Sequence, residues 1–336
     1  MKNAKLSKKQ IENLISELWE NSIFSKKSFV ILSQIPKYKN LKLPKNLLKK
    51  IMFELSTIRN RHLITSSQQE KLRKKVVAIF GMSVGSHVAV TWMLQSRADC
   101  IKIIDFDKIA GSNLNRLKVG WNDVGKLKTQ IVKKEILKIN PFADVQVFNK
   151  GDKKDIKNVF TKNPKVDYII DEIDDIEAKL TLRKFAKKYK IPLIQAADVG
   201  DNCILDIERY DLKKQPKFFL GRLPEIEKID FNLLSSKDII KLIIKLVGFD
   251  KNSEDMLYSL QEIGKTLSTW PQLGATASIS GGICVTAIKK IALGEKIKSG
   301  RYYISLDDIL VSDFNSPKKI EKRKKIIDKI KKNIGI

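Results

Sequence analysis

A chain of 336 residues with 43% hydrophobic and 31% charged residues is long and apolar enough for one large or two smaller folded domains, which excludes a disordered polymer. The 65 Lys and Arg against 38 Asp and Glu leave a formal net charge of +27, spread along the whole chain without interleaved aromatics, so a Lys-rich solvated surface is favoured over RNA or acidic lipid as its cause. Cys100, Cys203 and Cys284, with no C-x-x-C spacing, argue against a disulfide framework and a Cys-ligated zinc site and fit a reducing cytoplasm; without an apolar h-region or an 18-residue apolar run, no signal peptide or membrane span is expected.

Residues 1–58 read as a helical front piece, in which KKQIENLISELWENSIF puts Ile11, Leu14, Ile15 and Leu18 at helical spacing. From Lys75 the period changes. The apolar runs VVAIF, CIKIIDFD, DVQVF, VDYIID and IPLIQA alternate with helical patterns such as GKLKTQIVKKEILKIN and DIEAKLTLRKFAKKYK. That alternation predicts an α/β fold: a doubly wound, Rossmann-like, mostly parallel sheet buried on both faces, with its core over residues 59–211. CILDIERYD, from Cys203 to Asp211, is expected to continue the sheet. Residues 212–275 then break the pattern with SSKDIIKLIIKLVGF and SEDMLYSLQEIGKTL, a helical insert or substrate-recognition subdomain. Residues 276–316 return to the α/β domain through the helix of SISGGICVTAIKKIALG. Residues 317–336 form a basic amphipathic tail with Ile320, Ile326, Ile327, Ile330 and Ile334 roughly on one face, docked on the body or else facing a membrane or nucleic acid.

Ligands of open parallel sheets sit outside the carboxyl ends of the strands, and those ends are polar here. The first runs into GMSVGS, where Gly81, Ser83 and Gly85 offer backbone N–H groups and a helix N-terminus to a phosphate, or else make a tight strand-to-helix turn. The second ends at Asp105 and Asp107, about 20 residues past the glycines, the spacing of a ribose-binding carboxylate; a cap or a solvated acid is the competing reading. GSNLNRLKVGWNDVGKLK then gathers Asn113, Asn115, Arg116, Lys126 and Lys128, donors suited to a triphosphate. The fourth strand ends at Asp171, Glu172, Asp174 and Asp175, carboxylates suited to Mg²⁺, with Asp175 equally suited to cap the next helix.

In this order the segments resemble the ubiquitin-activating-enzyme-like adenylyltransferases, the ThiF/MoeB/HesA superfamily, from about Arg59 to Asp211 and on into the SISGGICVTAIKKIALG helix. RNRHLITSSQQEKLRKKVVAIFG is similar to the family's R-x-x-R-Q-I opening, and IDFDKIAGSNLNR to L-x-D-x-D-x-V-x-x-S-N-L-x-R. VGKLK matches V-G-x-x-K, Asn140-Pro141 matches N-P, and IIDEIDD matches V-x-D-x-x-D-N. The resemblance implies ATP- and Mg²⁺-dependent adenylation of a carboxylate with release of pyrophosphate. It further implies that Asp105 binds the ribose, that Asn113 and Arg116 contact nucleotide and phosphates, that Lys128 stabilises the α-phosphate and that Asp174 holds Mg²⁺. Gly81, Ser83, Gly85 and Asp107 complete the nucleotide-binding set. Arg61, counted with Arg116, Lys128 and Asp174 as catalytic, is implied to reach across a homodimer to the γ-phosphate of the neighbouring ATP. Where the family has further glycines, this chain has Ser83 and Val84. The two zinc-binding C-x-x-C pairs of many relatives are absent, so no structural zinc is expected, and no cysteine occupies an obvious catalytic place, which favours direct transfer to an external nucleophile.

The expected substrate is the C-terminus of a small ubiquitin-like or sulfur-carrier protein or of a peptide, recognised by the front piece and the insert. One alternative is a tRNA-modifying relative that activates threonylcarbamoyladenosine, which would give the +27 charge a use. The other is a non-catalytic nucleotide-binding scaffold.

Overall fold

The computed structural model describes residues 6–35, 43–150 and 153–335. At the front, α1 (Lys8–Ser22), α2 (Lys26–Leu32) and α3 (Lys45–Thr57) close around Leu18, Ile31, Ile51 and Leu55. Ser7 and Gln10 open α1 with the two reciprocal hydrogen bonds of a capping box, and Thr65 and Gln68 do the same for α4 (Ser66–Arg73). Helix α4 leads into the first strand.

Strands β1 (Val77–Phe80), β2 (Cys100–Ile104), β3 (Asp144–Phe148), β4 (Tyr168–Asp171) and β5 (Leu193–Val199) all run parallel. They alternate with α5 (Val84–Ser96), α6 (Lys128–Ile139), α7 (Lys153–Thr161) and α8 (Ile176–Tyr189). The seven-stranded order is β3-β2-β1-β4-β5-β6-β7, where β6 (Asn202–Glu208) and β7 (Gly300–Ile304) are antiparallel. Because the chain winds outward from β1 to β3 and restarts at β4 on the other side of β1, the β1/β4 border is the topological switch point, where a crevice opens at the carboxyl ends.

Between the last two strands lie α9 (Ser236–Val247), α10 (Glu254–Glu262) and α11 (Gly274–Ala292); α12 (Leu306–Leu310) and α13 (Pro317–Ile334) follow. One face of the sheet buries Val77, Ile79, Ile101 and Ile103 against Trp92 of α5, Ile136 of α6 and Ile288 of α11. The other buries Ala78, Phe80 and Ile169 against Phe160 of α7, Leu180 of α8 and Leu246 of α9. Each fully buried aliphatic or Phe side chain contributes about 1.5–3 kcal/mol, and covering both faces explains why the parallel strands read as unbroken apolar runs. Helix α13 docks through Ile326 and Ile330 against Leu257 of α10. Among the described residues, no helix is long and apolar enough to cross a membrane.

Two features were not in the sequence pattern. CILDIE does extend the sheet, but antiparallel, because the two-residue turn between Val199 and Asn202, with Gly200 at φ +73, sends the chain straight back. The edge strand β7 carries Arg301 and leaves Tyr302 and Tyr303 half-exposed, so no apolar run marks it.

Candidate active site

The glycine turn is built for close packing. A Cβ on Gly81, whose φ is +86, would lie 2.2 Å from the Glu172 carbonyl oxygen, and one on Gly85 would lie 2.8 Å from Ile79 Cγ2. Both glycines therefore let the β1 and β4 ends and α5 come together. The polar capacity of the turn lies elsewhere. Ser83 stands at the N-cap of the 13-residue α5 but makes no capping hydrogen bond, and its hydroxyl accepts from Arg116 Nε at 3.1 Å. No side chain caps the start of α5, where the Ser86 amide already reaches the Ser83 carbonyl, so the end of the helix beside the guanidinium is a seat for an anion.

Arg116 is fixed from several sides. Its Nη1 donates to the Ser112 carbonyl at 3.0 Å and to Asn115 Oδ1 at 2.9 Å, and its own carbonyl lies 2.6 Å from His87 Nε2. Burial pulls the guanidinium's pKa down, while the nearby Asp174 and Asp198 carboxylates push it back up. Asn115 Nδ2 ties the same loop to the Gln272 carbonyl at 2.8 Å, ahead of α11. Asn113 is buried and turns inward: its Oδ1 accepts from the Ala110 amide at 3.0 Å and shapes the turn.

Asp105 follows β2 directly, is buried, and accepts from the amides of Met82 at 2.6 Å and Asp107 at 2.7 Å, so it clasps the glycine turn to its own loop. Burial raises its pKa; the two amides and Lys128 oppose that rise. The exposed Asp107 pairs with Lys128 Nζ at 2.8 Å. Lys128 opens α6 with its stem buried and its ammonium at the carboxyl ends of the strands. Lys126, by contrast, pairs with Asp123 on the surface.

The carboxylates after β4 separate into distinct roles, and the reading of them as one cluster is corrected. Asp171 is fully buried on the α8 face, bound by Arg183 at 2.6 Å and Lys179 at 3.2 Å, and these cations hold its carboxyl below the usual range against the effect of burial. Asp175 caps α8 through the Ala178 amide at 2.6 Å. Asp174 is exposed, forms no hydrogen bond among the described residues, and faces Arg116 closely enough to affect its charge. Glu172 turns to the opposite face from Asp171, where its Oε1 accepts from the Ala196 amide at 3.0 Å.

Arg61 does not join these groups within its own chain. Its Nη2 is bound to Glu54 and to Ser25 Oγ on the front helices. All three cysteines are buried. Burial first, then nearby carboxylates, push the Cys100 thiol up to about 12 and Cys203 up to about 11, and Cys284 is raised well above its ordinary value, so none is a ready thiolate.

The arrangement suits a nucleoside triphosphate with Mg²⁺. An uncapped helix end, Arg116 and Lys128 offer donors and positive charge, and one free carboxylate at Asp174 suits an ion that takes most of its ligands from phosphate and water. No set of three or more His, Cys, Asp or Glu side chains among the described residues could cage a metal without such phosphates. The ThiF family matches residues 56–326. The chain belongs to the ThiF family.

Among relatives of this ThiF-family chain, the uncharacterized protein MT1398 of Mycobacterium tuberculosis is 31% identical over 252 residues, covering 75% of this chain and 35% of the relative. The tRNA threonylcarbamoyladenosine dehydratase of Haemophilus influenzae is 30% identical over 140 residues, covering 41% and 53%. The chain thus spans about a third to a half of the length of these relatives. The structure of E. coli MccB with ATP superposes with a TM-score of 0.54 at 20% identity, covering 88% of this chain and 84% of that one, which shows a common fold.

Asp198 was missed in the sequence, although it lies at the end of the fifth strand and the rule that singled out Asp105 applies to it equally. Glu172 was noticed only as part of a run. Strand alternation, which sends Asp171 and Glu172 to opposite faces, is the signal that divides that run.

Proposed function

We propose that this ThiF-family chain adenylates a carboxylate with ATP and releases pyrophosphate, and that the carboxylate is the C-terminus of a small protein or peptide. The observation that carries the proposal is Arg116, held by Ser83 at the uncapped start of α5 while facing the free Asp174. In this reading the α5 amides and Arg116 bind the phosphates, Lys128 neutralises charge at the α-phosphate, and Asp105, with Asp107 beside it, orients the ribose. Asn113 supports this set by shaping the loop. Asp174 holds Mg²⁺, which supplies charge neutralisation on the phosphate oxygens. The incoming carboxylate attacks the α-phosphate, and no protein nucleophile is required, because positioning and preorganised charge supply the catalysis.

A solved neighbour favours a peptide: E. coli MccB has been crystallised with MccA and with ATP. A homodimer belongs to the same reading, with Arg61 reaching the partner's ATP once it leaves Glu54. Ile23 and Phe24, exposed in the turn between α1 and α2, are consistent with a covered face in such a dimer. A tRNA substrate is the second reading, favoured by the Haemophilus influenzae relative and the +27 charge. ATP–pyrophosphate exchange tests the set, run with a pool of small proteins and peptides bearing free C-termini and, separately, with threonylcarbamoyladenosine-containing tRNA. Exchange with the pool supports the first reading, exchange with tRNA alone supports the second, and exchange with neither contradicts both.

A further inference from the structure

Asp198, the penultimate residue of β5, lies on the sheet face that carries α5 and α11, and it is only 4% exposed. Ser280 Oγ of α11 donates to its Oδ1 at 2.6 Å. Trp270 Nε1 donates to its carbonyl at 3.1 Å, and Thr276 Oγ1 donates to the Gly200 carbonyl at 2.7 Å, so side chain and following turn are both fixed. Among the described residues its buried Oδ2 makes no hydrogen bond of normal geometry, although the Gln272 side chain lies close enough to lower the carboxyl's pKa. Arg116 faces the carboxyl from the loop after β2, Glu172 from β4, Cys203 from β6 and Cys284 from α11.

A buried carboxylate oxygen left without a donor costs free energy until something supplies one. Ser280 is already committed to Oδ1, and Arg116, whose Nε and Nη1 bond Ser83, Ser112 and Asn115, makes no hydrogen bond to the carboxyl among the described residues. The open oxygen therefore suits a donor brought by a ligand. An ammonium brings three N–H donors and a complementary charge, whereas a hydroxyl or thiol brings one donor and no charge.

We propose that Asp198 receives a primary amine as the acceptor for the activated acyl group and takes its proton, so that the second half of the reaction forms an amide. The proposal rests on the adenylation reading. The bound ammonium first gives one proton to Asp198 Oδ2, which passes it to solvent, and the free amine nitrogen then attacks the acyl carbon and forms the C–N bond. The bond from that carbon to the α-phosphate oxygen breaks, and AMP leaves with the electron pair. The nitrogen's second proton passes to Asp198 Oδ2 and then to solvent. Burial raises the carboxyl above its ordinary range, with Ser280 and Arg116 opposing the rise, which brings a carboxylate base nearer to neutral pH.

Acetyl adenylate and methylamine test this without knowledge of the natural substrate: the full chain is mixed with both, and N-methylacetamide is measured against a protein-free control across pH. The wild type should accelerate amide formation, and Asp198→Asn should lose roughly 10²-fold or more of that acceleration, the usual share of a general base. In case that variant folds poorly, Ser280→Ala gives an independent readout. Removing the donor that holds the Asp198 carboxyl down should move the rise in rate to higher pH. Undiminished amide formation by Asp198→Asn, an unmoved profile in Ser280→Ala, or no acceleration by the wild type would each overturn the proposal. Failure of the adenylation reading shows separately, as absence of ATP–pyrophosphate exchange by the wild type with any carboxylate supplied.

Discussion

Two groups of carboxylates and arginines flank β4 and β5 on opposite faces, and they differ in saturation rather than in residue type. On the α8 face, Arg183 lies between Asp171 at 2.6 Å and Glu208 at 2.8 Å, Lys179 joins Asp171, and Tyr210 donates to Glu208 at 2.6 Å. All the charges there have partners. On the α5 and α11 face, and among the described residues, Asp174 is exposed without a hydrogen bond and Asp198 keeps an open oxygen, with Arg116 near both. The first group holds the strands and α8 together; the second has capacity left for a ligand. A single step along β4, from Asp171 to Glu172, separates the two faces.

The contrast is broken most forcefully by Arg183→Met, which removes the cation shared by two buried carboxylates and leaves Asp171 with Lys179 and Glu208 with Tyr210. It should destabilise the fold by roughly 3–5 kcal/mol, read from the denaturant midpoint, and a loss below about 1 kcal/mol would mean that the inner group is not a structural unit. Arg116→Ala should act the other way round. Exchange activity should fall by about 10²–10³-fold, as when a preorganised charge is removed, with little change in the denaturant midpoint. Asp174→Ala should lower exchange and raise the Mg²⁺ concentration needed for half-maximal rate, again without unfolding; wild-type exchange at the wild-type Mg²⁺ requirement would take Asp174 out of the site.

Arg61→Ala sharpens the comparison at the front helices. Losing its bond to the buried Glu54, which keeps Lys27 at 3.3 Å, should cost about 1–2 kcal/mol. If exchange is also lost and returns when the variant is mixed with Asp174→Ala protein, the arginine acts across a dimer; no recovery in a verified mixed dimer points to the structural role alone. Cys203→Ser should have the smallest effect of all, leaving exchange near wild type, since its thiol is buried and raised to about 11.

Much of this organisation was legible in the sequence because both faces of the parallel sheet are buried and its strands are short unbroken apolar runs. The loop residues Asn113, Arg116 and Lys128 were legible as a polar stretch without apolar period, but their division of labour was not. Asn113 turns inward to Ala110, and Asp107 is occupied by Lys128, contacts that depend on how the loop folds over the end of β2. The glycines looked like a phosphate loop, yet the space they leave is filled by Glu172 and Ile79, which the sequence brings close only through the fold. Asp198 was hidden for a simpler reason: a lone acid after IPLIQA looks like a solvated turn until α11 closes over it.

Calorimetric titration with MgATP of the wild type and Arg116→Ala tests the central claim most directly. Saturable binding of one ATP per chain is predicted for the wild type, with affinity weaker by about tenfold or more in the variant, a difference of at least ~1.4 kcal/mol. Equal binding by both proteins, or none by the wild type, would contradict the account.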